Sequence, residues 1–208
     1  MPGASRFTDE RTLREFAEQG QLESRYQADP GPGVEAALTW RFARRLAVSG
    51  AASRLRRKQA GSYAAALPHP LYIGAPRHAG GDFDDRSLHE TAVHLDLAVV
   101  GGRRLEWTVF AGPSAIAIRA ELLHAVQYTH AYPYDTVTVT GTSFESTRAS
   151  AIGFNAGGGL DWQLARHVAI GAQTRYRRAA VHLPTTSGEH VRVEAAGLEL
   201  TGGLRLDF

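Results

Sequence analysis

There is no cysteine among the 208 residues, which excludes disulfide scaffolds, thiol nucleophiles and Cys-ligated zinc. No run of about 18 apolar residues is present, which excludes a transmembrane helix. A dominant charge is missing as well. The chain sets 23 Lys and Arg against 21 Asp and Glu, and a net +2 does not argue for a nucleic-acid partner. Residues 1–10 lack the apolar core of a signal peptide. No His pair stands at helical metal-ligand spacing beside a carboxylate, so no metal or other cofactor is expected. Glycine is what the chain has in excess: 22 residues, against a usual share of about 7 %. That suits strands and turns, and the length suits one domain.

None of these absences excludes a protein that crosses a membrane on strands. A barrel strand needs only about 9–11 residues, and half of its side chains point inward. The last eleven residues have that form. Leu198, Leu200, Gly202, Leu204, Leu206 and Phe208 share one face, while Glu199, Thr201, Gly203, Arg205 and Asp207 share the other. An apolar face toward lipid and a charged face toward a lumen would produce this alternation.

Further segments alternate in the same way. Val34, Ala36, Leu38, Trp40 and Phe42 interleave with Glu35, Thr39 and Arg41. Leu46 and Val48 follow a tight turn at Arg44-Arg45. Val93, Leu95, Leu97 and Val99 interleave with His94 and Asp96, and Gly101-Gly102 then turns the chain into Leu105, Trp107 and Val109. Ile152, Phe154, Leu160 and Trp162 run against Asn155 and Asp161. Val168, Ile170 and Tyr176 run against Gln173 and Arg175. With a strand around Tyr26 the sequence predicts eight, an even number as closure of a single chain requires.

Connection lengths alternate too. Residues 43–45, 101–103 and 164–167 read as short turns. Residues 58–86 and 121–147 read as long loops, 183–190 as an intermediate one, and Asp29-Pro-Gly-Pro-Gly33 as a short member of the loop class. Short turns on one side and long loops on the other match periplasmic turns and extracellular loops. The fold expected is all-β: an eight-stranded antiparallel up-and-down transmembrane β-barrel.

Charges on the inward parity are Glu23, Arg25, Glu35, Arg41, Asp96, Glu106, Asp161, Arg175, Glu199, Arg205 and Asp207. Eight strands leave an interior that side chains can fill. The expected lumen is therefore plugged by Arg–carboxylate pairs, since unpaired charges there would be costly. Trp40, Phe42, Trp107 and Trp162 stand beside the short turns and are expected at one membrane interface. Tyr26, Tyr176 and Tyr63 are expected at the other.

The chain resembles the bacterial OmpA-like superfamily of eight-stranded outer-membrane β-barrels. The resemblance rests on Gly153-Phe-Asn-Ala-Gly-Gly-Gly-Leu-Asp-Trp162, Arg166-His-Val-Ala-Ile-Gly171, Arg175-Tyr176 and the terminal Gly-Gly-Leu-Arg-Leu-Asp-Phe. It covers roughly residues 21–208. It implies a monomeric outer-membrane protein whose last strand, through Phe208, Leu206 and Leu204, is the signal read by the barrel-assembly machinery. Its partners would be outer-membrane lipid and that machinery. Such barrels serve as anchors, adhesins, lipid-modifying enzymes and assembly partners, so the fold does not choose among them. A barrel must cross the inner membrane, so this reading expects a start site placed too late or a truncated gene model. A cytosolic protein is the other reading.

Candidate chemistry is sparse. His69, His78, His124 and His130 fall in the expected long loops, where a surface metal site is conceivable beside ordinary solvated histidines. His94 and Glu90 share the lumen parity and would combine with Ser114 or Ser150 into a Ser/His/acid set, as in lipid A deacylases. Leu67-Pro-His-Pro-Leu-Tyr-Ile73 and Ala131-Tyr-Pro-Tyr-Asp135 are stiffened by proline and suit packing across the barrel mouth or ligand capture. In residues 1–20, Thr8-Asp-Glu-Arg-Thr-Leu-Arg-Glu-Phe-Ala-Glu18 looks like a short capped helix on the periplasmic side. The function expected is a non-enzymatic outer-membrane barrel, structural or surface-binding. The alternatives are a lipid-modifying hydrolase on the same scaffold and a soluble lipocalin-like carrier.

Overall fold

The computed structural model describes residues 5–184 and 190–208. They form a single antiparallel sheet of nine strands: β1 (Ser5–Glu15), β2 (Glu18–Ala28), β3 (Gly33–Arg41), β4 (Leu46–Leu67), β5 (Arg77–Gly102), β6 (Leu105–His130), β7 (Val137–Ala165), β8 (Val168–Pro184) and β9 (His190–Leu206). The strands follow chain order across the sheet, with one exception. β2 and β3 lie end to end along the same edge of β4, β2 facing residues 59–66 and β3 facing residues 47–55. Nine strands therefore occupy eight positions. Asp29-Pro-Gly-Pro-Gly33 is a break within one line, not the hairpin loop expected from its composition.

Two further expectations need correction. The segment read as a helix at Thr8–Glu18 is mostly β1, zipped to β2 from Ser5↔Ala28 to Glu15↔Glu18. Residues 5–15 thus belong to the sheet. The long loops also prove to be mostly strand. β4 runs on to Leu67 and β5 begins at Arg77, so the first loop shrinks to residues 68–76; β6 and β7 leave only residues 131–136. The expected connection at 183–190 falls largely on residues 185–189, outside the described residues.

The sheet curls until its strands face one another across a shared interior. Glu35 on β3 reaches Arg175 on β8, and Tyr26 on β2 accepts a hydrogen bond from the Leu123 amide on β6. β1 and β9 approach each other at the two edges, but no ladder of described residues joins them. β1 also covers only the half of the sheet beside β2, so β3 is paired on one side alone.

The side-chain pattern inverts along the strands. Toward the turns at 42–45, 103–104 and 166–167, large apolar residues cover the outer face: Leu38 is 69 % exposed, Trp40 70 %, Ile152 83 % and Leu200 80 %. The inner face of that half holds Asp96, Glu106, Asn155 and Arg175, all buried. Toward the loops the interior is apolar instead. Phe7, Leu22, Tyr26, Tyr63, Phe83, Ile118, Leu122 and Leu123 make one cluster there, with Phe7 stacked on Tyr26 at 4.6 Å. Outside that half stand Arg25, Arg56, Lys58, Arg119 and Arg148, all exposed.

Candidate functional site: the buried charge network

Period-two geometry sends alternate residues of β5, β7 and β8 to the interior, and the strand order brings their charges to one level. Arg175 is the hub. Its Nη1 donates to Asp96 Oδ2 and to Asn155 Oδ1, each at 2.9 Å, and its Nη2 reaches Glu35 Oε1 at 3.3 Å. Gln173 Nε2 donates to the same Glu35 oxygen at 2.5 Å. Asn155 Nδ2 lies 2.8 Å from Asp96 Oδ1 and 3.0 Å from Ser114 Oγ. Beneath the guanidinium lies the Phe110 ring, 4.7 Å from its carbon to the ring centroid. Gly157 makes room for that ring, because a Cβ there would collide with Phe110 and with the Thr174 carbonyl. One turn of the strand pattern further, Arg177 pairs with Glu90 at 2.8 Å and lies 3.8 Å from Glu199.

A second cluster sits toward the turns. Arg205 contacts Glu106 at 2.5 Å, Asp161 at 2.9 Å and Asp207 at 2.9 Å. Arg41 also binds Glu106. The two clusters join β3, β5, β6, β7, β8 and β9 through their interior faces alone. The guanidiniums of Arg175 and Arg205 each meet three carboxylate or amide groups, the arrangement that makes removal from water tolerable.

The inward residues expected from parity are therefore brought together, with two exceptions. Glu23 and Arg25 bond to each other at 2.8 Å on the outer face of β2, because in this half the interior parity belongs to Leu22, Ser24, Tyr26 and Ala28. The aromatic residues divide similarly. Trp40, Phe42, Trp107, Trp162 and Tyr176 are exposed outside, and Phe208 is fully exposed beside Leu204 and Leu206 on the same parity. Tyr26 and Tyr63 are buried in the interior, so neither belongs to an outer belt.

Ser114 and His94 do meet, with Oγ and Nδ1 2.7 Å apart. Both are almost fully buried, His94 Nε2 has no hydrogen-bond partner among the described residues, and the neighbouring acid Asp96 is turned to Arg175 and Asn155. Glu90, the acid expected for this set, pairs with Arg177, and among the described residues no carboxylate is hydrogen-bonded to the imidazole as a triad requires. Ser150 is exposed on the outer face, away from His94. His69, His78, His124 and His130 do not converge; His124 lies 3.2 Å from Glu145, and His69 lies 3.8 Å from Asp135. Among the described residues no three His, Asp or Glu side chains group around a point a metal would occupy.

The loop end is closed by a latch that parity could not reveal. Arg77 is buried and donates to the Pro68 carbonyl at 2.7 Å and to the Tyr134 carbonyl at 3.3 Å, tying the two loops together. His69 Nδ1 accepts from the amides of Leu71 and Tyr72, both at 3.1 Å, and so turns the first loop back on itself. Packing across the mouth, one of the two expectations for these loops, is what Arg77 carries out. Chemically, the interior can bind its own strands together and shield its charges. No protein-family model matches the chain, and no curated protein matches it.

Proposed function

We propose that the chain is an integral outer-membrane β-barrel, monomeric, with a filled polar interior and a structural or surface-binding role. The observation that carries this reading is the inversion of the wall. Leu95 and Leu97 are each 57 % exposed, whereas His94 and Asp96 between and beside them are 1 % and 2 % exposed. In water that arrangement exposes the groups that gain by burial and buries those that lose by it. In a bilayer both choices are favourable.

The height of the apolar band supports the same reading. On β6 and β7 it spans residues 105–117 and 152–164. Twelve steps of about 3.3 Å, tilted by about 40°, rise about 30 Å, close to the hydrocarbon thickness of a bilayer. Trp107 and Trp162 mark its lower border, where indole rings favour the interface. Beyond its upper border the outer face turns polar and the interior apolar, as a barrel extended into water requires.

The test is refolding of the purified chain with and without amphiphile. Strand circular dichroism and heat-dependent gel mobility are expected only with detergent micelles or lipid vesicles. A folded, monomeric, soluble protein in plain buffer would sink the membrane reading.

A further inference from the structure

Immediately beyond the apolar band, the next outward residues are cations on strand after strand. On β4, Ala52 is followed by Arg54, Arg56 and Lys58; on β6, Ala117 by Arg119; on β7, Ile152 gives way through Ser150 to Arg148. The register aligns them. Arg56 pairs with His89, His89 with Arg119, and Arg119 with Arg148, so four adjacent strands carry a lateral row of three arginines and a histidine. Neighbouring strands are about 4.8 Å apart, which makes the row about 15 Å long. Like charges directly opposite one another destabilise a sheet. All three arginines are exposed, and the acids nearby are engaged elsewhere: Asp85 with Lys58, Glu145 with His124, and Glu121 with the Ser87 amide. Arg119 donates to the Ser146 hydroxyl, at 2.7 Å.

We propose that this row binds the headgroup of a lipid carrying two phosphates, in the leaflet on the loop side. The inference rests on the membrane reading above. A lipid is favoured over a soluble anion because the row continues the apolar wall on the same outward parity. Acyl chains against Val93, Val109, Ala115 and Ile152 would place their headgroup at the row. Two phosphates are favoured over one because Arg56 stands two strands from Arg119 and three from Arg148, so the cations span more than a single phosphate covers. Arginine suits this task, since its planar fork donates two hydrogen bonds to one phosphate. The turns at the opposite end also expose arginines, Arg44, Arg103 and Arg166, but on separate hairpins that no ladder row aligns.

The test uses the refolded full chain in phosphatidylcholine bilayers doped with a diphosphorylated glucosamine lipid or with its dephosphorylated counterpart, lipid retention being read by native mass spectrometry. The wild type should retain the phosphorylated form preferentially. The triple variant Arg56→Gln/Arg119→Gln/Arg148→Gln should lose that preference by about a hundredfold at low salt, while Arg44→Gln/Arg103→Gln/Arg166→Gln keeps it. Correct insertion of each variant is checked by heat-dependent gel mobility. Insertion with equal retention of both lipids, or a triple variant that binds like wild type, overturns the inference and leaves the membrane reading standing. Competition by inorganic pyrophosphate as strong as by the lipid would overturn it in favour of a soluble anion. Failure of the wild type to enter the bilayer overturns both.

Discussion

Arg175 and Asp96 stand 2.9 Å apart, both nearly inaccessible, on strands three places apart in the sheet. The bond therefore spans the interior, and the same guanidinium holds Glu35 on a third strand. Arg175→Met would strand two buried carboxylates and should cost about 3–5 kcal/mol. Urea titration of the protein folded in lipid vesicles measures this. The double variant Arg175→Met/Asp96→Leu should recover part of the loss; an unchanged single variant would remove the hub role.

Leu97 lies mid-band on the outer face and Ile118 lies inside the loop-end core. Leu97→Arg should destabilise the vesicle-inserted protein by about 2–4 kcal/mol. On a water-facing surface the same change would be within about 0.5 kcal/mol. The measured value thus identifies the medium around the band. Ile118→Arg should be damaging in either medium, since that site is buried by protein.

Tyr26 sits outside the apolar band, and burial pushes its phenol up to about 12, partly offset by the Leu123 amide that donates to its oxygen. For a group whose folded value lies above its unfolded one of about 10, the stabilisation is complete below pH 10 and is lost as pH rises toward 12. The full loss approaches about 3 kcal/mol, from two pH units. A phenolate absorbance titration should show one tyrosine lagging the rest, and Tyr26→Phe should abolish that late step. A wild type and variant with superimposable titrations would contradict the assignment.

The β1–β2 hairpin turns on Phe16 and Ala17, whose φ values are 48° and 64°. Both central residues of such a turn need the left-handed region, where only glycine is free of penalty. Ala17→Gly should raise stability by about 1 kcal/mol, read as a shift in the urea midpoint. A lowered midpoint would mean that the alanine methyl makes a contact that outweighs the strain.

Phe208 is fully exposed and touches no core. Its deletion should leave refolding into detergent unchanged. If the terminal strand is the assembly signal, the same deletion should sharply reduce insertion in cells when expressed behind a signal peptide. Equal behaviour of wild type and deletion in cells would end the signal role.

Where the outer face is apolar and the inner face charged, the sequence alone was a good guide. Leu95-Asp96-Leu97 and Leu198-Glu199-Leu200 point as their parity demands, and inside Arg175 meets Asp96 while Arg205 meets Glu106. The guide failed where the faces exchange roles. Past Ala52, β4 carries small or polar residues outside and Tyr63, Ala65 and Leu67 inside, a pattern interrupted by Gly and Ser that reads as loop. β1 misled for a related reason. Its buried parity is Phe7, Asp9 and Arg11, the last two an ion pair at 2.9 Å. Charge on the buried side cancels the alternation, and Leu13 with Phe16 then imitates a helical face. The cationic row could not be found from spacing at all, because it exists only across strands.

Backbone ladders hold most of the wall, yet among the described residues none lies on the second side of β3 between Gly33 and Arg41. Along that length the curvature is braced from within. Glu35 ties β3 to β8 through Arg175 and Gln173, and Arg41 ties it through Glu106 to Arg205 on β9. These act as struts across an unzipped hoop. Between neighbouring strands from β4 to β9 the wall is held by backbone amides. Here it depends on two carboxylate struts, so Glu35→Gln should relax this sector of the wall first, and amide exchange in β3 should report the loosening before any other strand responds.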